Sequence, residues 1–259
     1  MLYDKNSIVI TTVLFVLILL LNETGFRIGR YVKDRTDSEI KSLTGAIQAS
    51  VLGLLALLLG FSFNMAMQRY DSRNLALVEE VNAIGTAVLR VKLLPEDIQG
   101  DARAAFREYV DLRIEMGHVD LTNYEKRNSY NRQVSDLQGR LWDYATSATE
   151  MDPRPVTTGA FINALNNMID NQGTRHALLA IHVPEVVLIL LFVVFIAAGG
   201  ILGYSSGLSG RRVLFPSALV AFLIALIVFI IIDLDRPRRG LIQVDQSYMA
   251  GLKELVADR

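Results

Sequence analysis

The stretch that decides the fold is residues 43–66, LTGAIQASVLGLLALLLGFSFNMA, which contains no charged side chain. A helix needs ~20 mostly apolar residues to cross the hydrocarbon core of a bilayer. Three further stretches meet this requirement, at about 7–26, 183–204 and 213–232. The sequence therefore predicts an all-α, polytopic membrane protein whose four transmembrane helices form two pairs, with the lipid bilayer as its surroundings.

The composition excludes several classes of site. The chain has 259 residues, no cysteine and a formal net charge of −1, so it offers neither thiolate chemistry nor a basic surface for nucleic acid. Its three histidines lack the spacing of a metal site, and no HExxH, GxSxG or phosphate-binding glycine-rich motif occurs. We therefore expect no cofactor, no bound metal, no nucleic-acid partner and no enzymatic activity.

The spans divide the chain into four parts. We expect a membrane hairpin over 1–67, a helical soluble insert over 68–182, a second membrane hairpin over 183–240 and a short C-terminal tail over 241–259. A signal peptide is the alternative for the first span, but that span lacks a basic leader and a small-residue cleavage site.

The insert shows no alternating pattern of useful length, so we expect helices rather than strands. The first continues from the second span to about Leu94, and the others run over about 96–116, 122–148 and 156–179. Four spans place the insert and both termini on one side of the membrane. Lys and Arg nearly tie between the two sides, and we favour a cytoplasmic insert in a protein of the inner membrane.

Small residues recur at every third or fourth position of the second span and therefore share one stripe of the helix. Such residues let helix backbones approach closely in lipid. One interpretation is packing within the chain, which is the more common reason for such stripes, and the other is the crowded axis of an oligomer. The stripe consists of Gly45, Ala49, Gly53, Ala56 and Gly60.

The same span carries polar and aromatic side chains. A pore along this span would be lined by the polar groups, and an aromatic constriction can gate a pore by dewetting. The alternative is interhelical hydrogen bonding and ordinary interfacial aromatics. The candidates for pore lining or gate are Gln48, Gly53, Phe61, Phe63 and Asn64.

Charged residues lie near the ends of the second and fourth spans, and ionisable groups at membrane depth are often functional. In an oligomer they would form a charged vestibule, where carboxylate rings favour cations. The alternative is an ion-paired helix end. The candidates are Arg69, Asp71, Asp233, Asp235 and Arg236. The carboxylates Glu79 and Glu80 and the histidines His118, His176 and His182 are expected on solvated or capping positions.

Four segments together resemble the bestrophin-like family of membrane proteins, and the resemblance covers essentially the whole chain. They are residues 60–63 (GFSF), 69–73 (RYDSR), 79–87 (EEVNAIGTA) and 233–237 (DLDRP) together with Gly240. True bestrophins are pentameric ion channels whose second span lines the pore and whose pore is lengthened by a helical cytosolic region. The resemblance implies the same four-span plan, a homo-oligomer that is a pentamer by analogy, and a permeant inorganic ion.

We therefore expect a homo-oligomeric ion channel whose second span lines the pore, with a preference for cations. The alternative is a non-conducting membrane scaffold or sensor whose soluble insert binds a partner. A transporter is a weaker third interpretation, because the spans lack the discontinuous helices and midplane charges that transporters use.

Overall fold

The computed structural model describes residues 5–119 and 123–257, and the ordered elements in this part of the chain are all helical. The predicted all-α class is confirmed. The helices are α1 (Ser7–Val32), α2 (Ser38–Arg90), α3 (Glu96–Gly117), α4 (Tyr124–Met151), α5 (Thr158–Ala180), α6 (Glu185–Ser209), α7 (Leu214–Leu234) and α8 (Ser247–Ala257), with 3₁₀ turns over Lys33–Arg35 and Val91–Leu93.

The four predicted spans lie in α1, α2, α6 and α7, and four helical stretches of the described chain are long and apolar enough to cross a membrane. Each of these helices extends beyond its predicted span. The apolar residues define only the part that crosses the membrane, whereas the helix continues until a capping or helix-breaking residue ends it. Asn6 caps α1 by accepting a hydrogen bond from the Ile8 amide at 2.8 Å. Gly210 ends α6 in the left-handed conformation, with φ of 72°.

The chain divides into two compact units. The first, here called the membrane unit, comprises Met1–Arg69 and His182–Arg236, and the second, the insert unit, comprises Tyr70–Ile181 and Pro237–Arg259. α2 has no proline between Ser38 and Arg90, and it contributes residues to both units. The predicted continuation of the second span into the insert is therefore a single helix.

Glycines hold two helices of the membrane unit together. A Cβ atom built on Gly203 of α6 would collide with the backbone oxygen of Asn22 on α1, and one on Gly25 of α1 with that of Gly200. The Asn22 side chain donates a hydrogen bond to the Gly199 carbonyl at 3.1 Å. α1 and α6 thus touch backbone to backbone, as small residues allow in lipid. The glycines at which a side chain would force α1 and α6 apart are Gly25, Gly29, Gly199, Gly203 and Gly207.

The insert unit has a conventional apolar core. Phe106 of α3 and Phe161 of α5 are fully buried and meet edge to face, with ring centroids 6.3 Å apart. Met249, Leu252 and Val256 of α8 complete this core. The predicted C-terminal tail over 241–259 contains this helix, for which the sequence analysis gave no prediction. An 11-residue helix is marginal by itself and is stabilised by packing its apolar face on α3.

Candidate pore face and charged clusters

The glycines of the α2 stripe have open space beside them in the described part of the chain. A Cβ atom added at Gly45, Gly53 or Gly60 meets no atom of residues 5–119 and 123–257 within 4 Å. Packing within the chain is therefore the wrong interpretation for these three glycines, and the close helix contact of the membrane unit lies instead between α1 and α6.

Three of the five pore candidates share this open face. Gly53 belongs to the stripe, and Phe63 and Asn64 follow Gly60 by three and four residues, which continues the same side of the helix. Both side chains are exposed, Phe63 by 40 %. The arrangement places a ring and an amide at one end of a row of small residues.

The other two candidates lie on different sides of α2. Gln48 is half-buried and precedes Leu55 and Ser62 by seven and fourteen residues, which places it on the face that those two buried residues occupy. Phe61 is 64 % exposed but lies away from the stripe. The structure therefore brings together Gly53, Phe63 and Asn64, and leaves Gln48 and Phe61 on flanking faces.

The charged residues at the end of α7 are engaged within the membrane unit. Asp233 and Asp235 are each 1 % exposed. An Asp235 carboxylate oxygen accepts a hydrogen bond from the Val183 amide at 2.8 Å and lies 3.6 Å from the His182 ring. Arg236 donates to the Ser7 hydroxyl at 3.2 Å. The geometry of Asp235 and Arg236 is that of hydrogen-bonded helix ends.

The two vestibule candidates on α2 differ in exposure. Arg69 is half-buried, whereas Asp71 is exposed. Asp71 also follows Asn64 by seven residues, which is close to two helical turns. Of the three candidate carboxylates, Asp71 is therefore the one whose oxygens are open to solvent on the protomer.

A second charged cluster lies inside the insert unit. Glu80 of α2 is fully buried, and its two carboxylate oxygens lie 2.6 Å from Arg113 of α3 and 2.6 Å from Arg175 of α5. Arg175 also donates to the Gln246 side chain at 2.8 Å. Burial lowers the pKa of Arg175, against the opposing attraction of Glu80. This ionic group joins three helices and the segment before α8.

The comparisons with known proteins agree with this architecture. The family model described as Bestrophin-like domain matches residues 13–249. The chain belongs to the bestrophin-like family.

The bestrophin-like chain shares its fold with solved structures. One is a crystal structure of a mutant bacterial bestrophin homologue from Klebsiella pneumoniae, at 17 % identity and a TM-score of 0.69, covering 94 % of this chain and 96 % of that one. A second mutant of a Klebsiella pneumoniae bestrophin homologue matches at 15 % identity and a TM-score of 0.68, covering 95 % and 97 %. No curated protein matches the chain.

The sequence analysis did not predict the buried cluster around Glu80. Glu79 and Glu80 were both expected on a solvated face, and this is wrong for Glu80. A signal was present, because Leu77 and Ile84 lie three residues before and four residues after Glu80 and place it on an apolar stripe of α2. A carboxylate within such a stripe is rarely buried unless it is paired.

Proposed function

We propose that this bestrophin-like protein is a homo-oligomeric ion channel, a pentamer by analogy, with α2 lining the pore. The observation that carries the proposal is the row of glycines on α2 that no atom of the described residues covers. Family membership supports it, because the second span lines the pore in the bestrophins that this family resembles.

The chemistry of the open face favours an axis shared between copies over a surface that faces lipid. Asn64 exposes an amide at the end of a membrane-spanning stretch, and an amide in hydrocarbon costs free energy unless it finds a partner or water. At an oligomer axis the same amide contacts water and ions, while Gly45, Gly53 and Gly60 leave room for them. Phe63, beside Asn64, is then the constriction.

The preference for cations rests on Asp71. Since the carboxylates of Asp233 and Asp235 are buried, we assign the negative potential at the pore mouth to a ring of Asp71, the exposed one of the three candidate carboxylates. Following the charge distribution in the sequence, we place the protein in the inner membrane with the insert and both termini in the cytoplasm.

The test is the current carried by purified protein in planar bilayers under asymmetric KCl. We expect discrete openings and a reversal potential that indicates cation selectivity. Asp71→Asn should move this reversal potential toward zero. Phe63→Ala should increase the leak current. Phe222→Ala is the matched control, because Phe222 is an exposed ring on α7 rather than on the α2 stripe.

Each outcome has a defined meaning. If Phe63→Ala and Phe222→Ala change the current equally, Phe63 is not the gate. Gln48→Leu should have a smaller effect than Asn64→Leu, because Gln48 lies on the half-buried side of α2. Silence from an inserted oligomer across voltages and pH refutes the channel and leaves the scaffold whose insert binds a partner.

A further inference from the structure

Cationic side chains gather at the end of the membrane unit where α1 ends and α6 turns into α7. This cluster is here called the basic rim, and it consists of Arg27, Arg30, Lys33, Arg211 and Arg212. A Cβ atom built on Gly207 of α6 would lie 2.7 Å from the Arg30 backbone nitrogen, and one built on Gly210 would collide with the Lys33 side chain. Two segments far apart in the sequence therefore form one positively charged surface.

Glu23 holds two of these cations in place. It accepts a hydrogen bond from Arg27 at 2.8 Å and another from Arg212. The Arg212 guanidinium also lies 5.1 Å from the centroid of the Phe26 ring, within the range of a cation–π contact. One negative charge thus serves two guanidinium groups, whose positions are fixed by contacts within the membrane unit.

The other three cations of the rim are accessible to a ligand. Arg30 and Arg211 are exposed, and Lys33 is half-buried. Within residues 5–119 and 123–257, no ion pair joins any of these three to a carboxylate. The rim keeps a net positive charge even when Asp34 and Asp37, the acidic residues that follow Lys33, are counted with it.

The apolar neighbours of the rim place it at the boundary of the hydrocarbon core. Arg27 directly follows the apolar stretch of α1, and Arg212 directly precedes that of α7. Beside these charges, Tyr31 is 77 % exposed, Leu214 60 % and Phe215 79 %. Apolar side chains are costly to expose to water, and aromatic rings are typical of the depth where acyl chains meet headgroups. Lipid phosphates are the anions present at this depth.

We propose that the basic rim binds the phosphate of an anionic phospholipid, with Arg30, Lys33 and Arg211 as the donors. The planar fork of an arginine donates two parallel hydrogen bonds to phosphate oxygens, and a lysine adds a compact point charge. A lipid of net negative charge is favoured over a zwitterionic one, because the rim repels a choline ammonium. The lipid is also favoured over free phosphate, because its acyl chains cover Leu214 and Phe215.

The site is separate from the proposed pore and does not depend on conduction. Its residues all belong to the membrane unit, where a phosphate bound between Arg30 and Arg211 would join the end of α1 to the turn between α6 and α7. A ligand that binds only the folded state stabilises that state by mass action. Anionic lipid should therefore raise Tm even in a protein that carries no current.

The experiment is thermal unfolding of the full-length protein in dodecyl maltoside micelles at constant ionic strength. Three additives are compared. Dioleoyl phosphatidylglycerol is the anionic lipid, dioleoyl phosphatidylcholine has the same acyl chains without net charge, and glycerol 3-phosphate has the phosphate without acyl chains. We expect Tm to rise by several degrees and to saturate with phosphatidylglycerol, and to change little with the other two.

The test variant combines Arg30→Gln with Arg211→Gln. The matched control combines Lys92→Gln with Arg132→Gln, which removes the same charge from exposed positions of the insert unit. Loss of two basic residues should raise the phosphatidylglycerol content at half-effect about tenfold or more in the test variant. The control should respond to phosphatidylglycerol as the natural protein does.

Three results would overturn the proposal. They are equal Tm responses to the two lipids, an equal response to glycerol 3-phosphate, and an unchanged phosphatidylglycerol response in the test variant. If the test variant does not fold, Arg211→Gln alone takes its place, with Arg132→Gln as its control. Arg211 is exposed and lies between α6 and α7 rather than within a helix, so this substitution removes charge without removing buried contacts. An unchanged response in Arg211→Gln then refutes the site.

Discussion

Replacing Glu80 by glutamine removes the only carboxylate that the structure places between Arg113 and Arg175 in the described chain. The substitution keeps the shape and an acceptor oxygen but leaves two guanidinium groups buried with no negative charge between them. Removing one partner of a buried ion pair costs roughly 3–5 kcal/mol, most of it from the charge left behind. Glu80 is fully buried, so solvent screening does not reduce this figure.

We expect Glu80→Gln to lower Tm by roughly 10 °C, on the usual conversion for a unit of this size. The assay is thermal unfolding in detergent, followed by circular dichroism of the purified protein. Glu79→Gln is the matched control, because it changes the same functional group one residue away on an exposed position. It should leave Tm within about a degree, as surface substitutions usually do.

A double variant separates charge from packing. Since Glu80→Gln harms the fold through the unpaired arginines, Glu80→Gln with Arg175→Met should lose less stability than the sum of the two single variants. Equal Tm values for Glu80→Gln and Glu79→Gln would refute the reasoning. Strict additivity in the double variant would also contradict it, because the pair would then have no coupling.

Two further predictions concern other parts of the chain. Gly203→Ala should destabilise the membrane unit by about 1–3 kcal/mol, because the added Cβ meets the backbone of Asn22. Gly173→Ala, at an open position of α5, is the control and should not lower Tm. Equal Tm values for the two variants would contradict the backbone contact. His176→Gln should reduce the loss of Tm between pH 7.5 and 5.5. The pKa of His176 is lowered in the folded state, so the unfolded chain takes up more protons as pH falls through about 6.5, and the folded state loses stability there. If the variant loses as much Tm as the natural protein between these pH values, His176 does not contribute.

The helices themselves were largely readable from the sequence. The spans follow from apolar length alone. Pro95, Pro153 and Pro155 separate insert helices because proline lacks the backbone N–H and disfavours a helical residue before it. α8 was not predicted because an amphipathic pattern of only 11 residues gives little evidence for a helix. The stability of α8 comes from its contact with α3.

The candidate sites were less readable. The carboxylates Asp233 and Asp235 look like exposed charges at a span end, yet both are buried, and Asp235 accepts a hydrogen bond from the Val183 amide. Residues 183 and 235 are neighbours only after folding, so no local pattern predicts that bond. Small residues spaced four apart also had different outcomes: Gly25, four before Gly29, packs against α6, while a Cβ added at Gly53, four after Ala49, meets no atom of the described residues within 4 Å.

The sequence by itself determined the membrane class, the four spans, the helical insert and the family, because these depend on hydropathy, helix breakers and short local motifs. Only the tertiary structure decided which glycines touch another backbone, which side of α2 stays open, and that Glu80, Arg113, Arg175 and Arg238 converge. The physical reason is that burial and charge pairing depend on distances between residues far apart in the chain, and those distances exist only once the helices have packed.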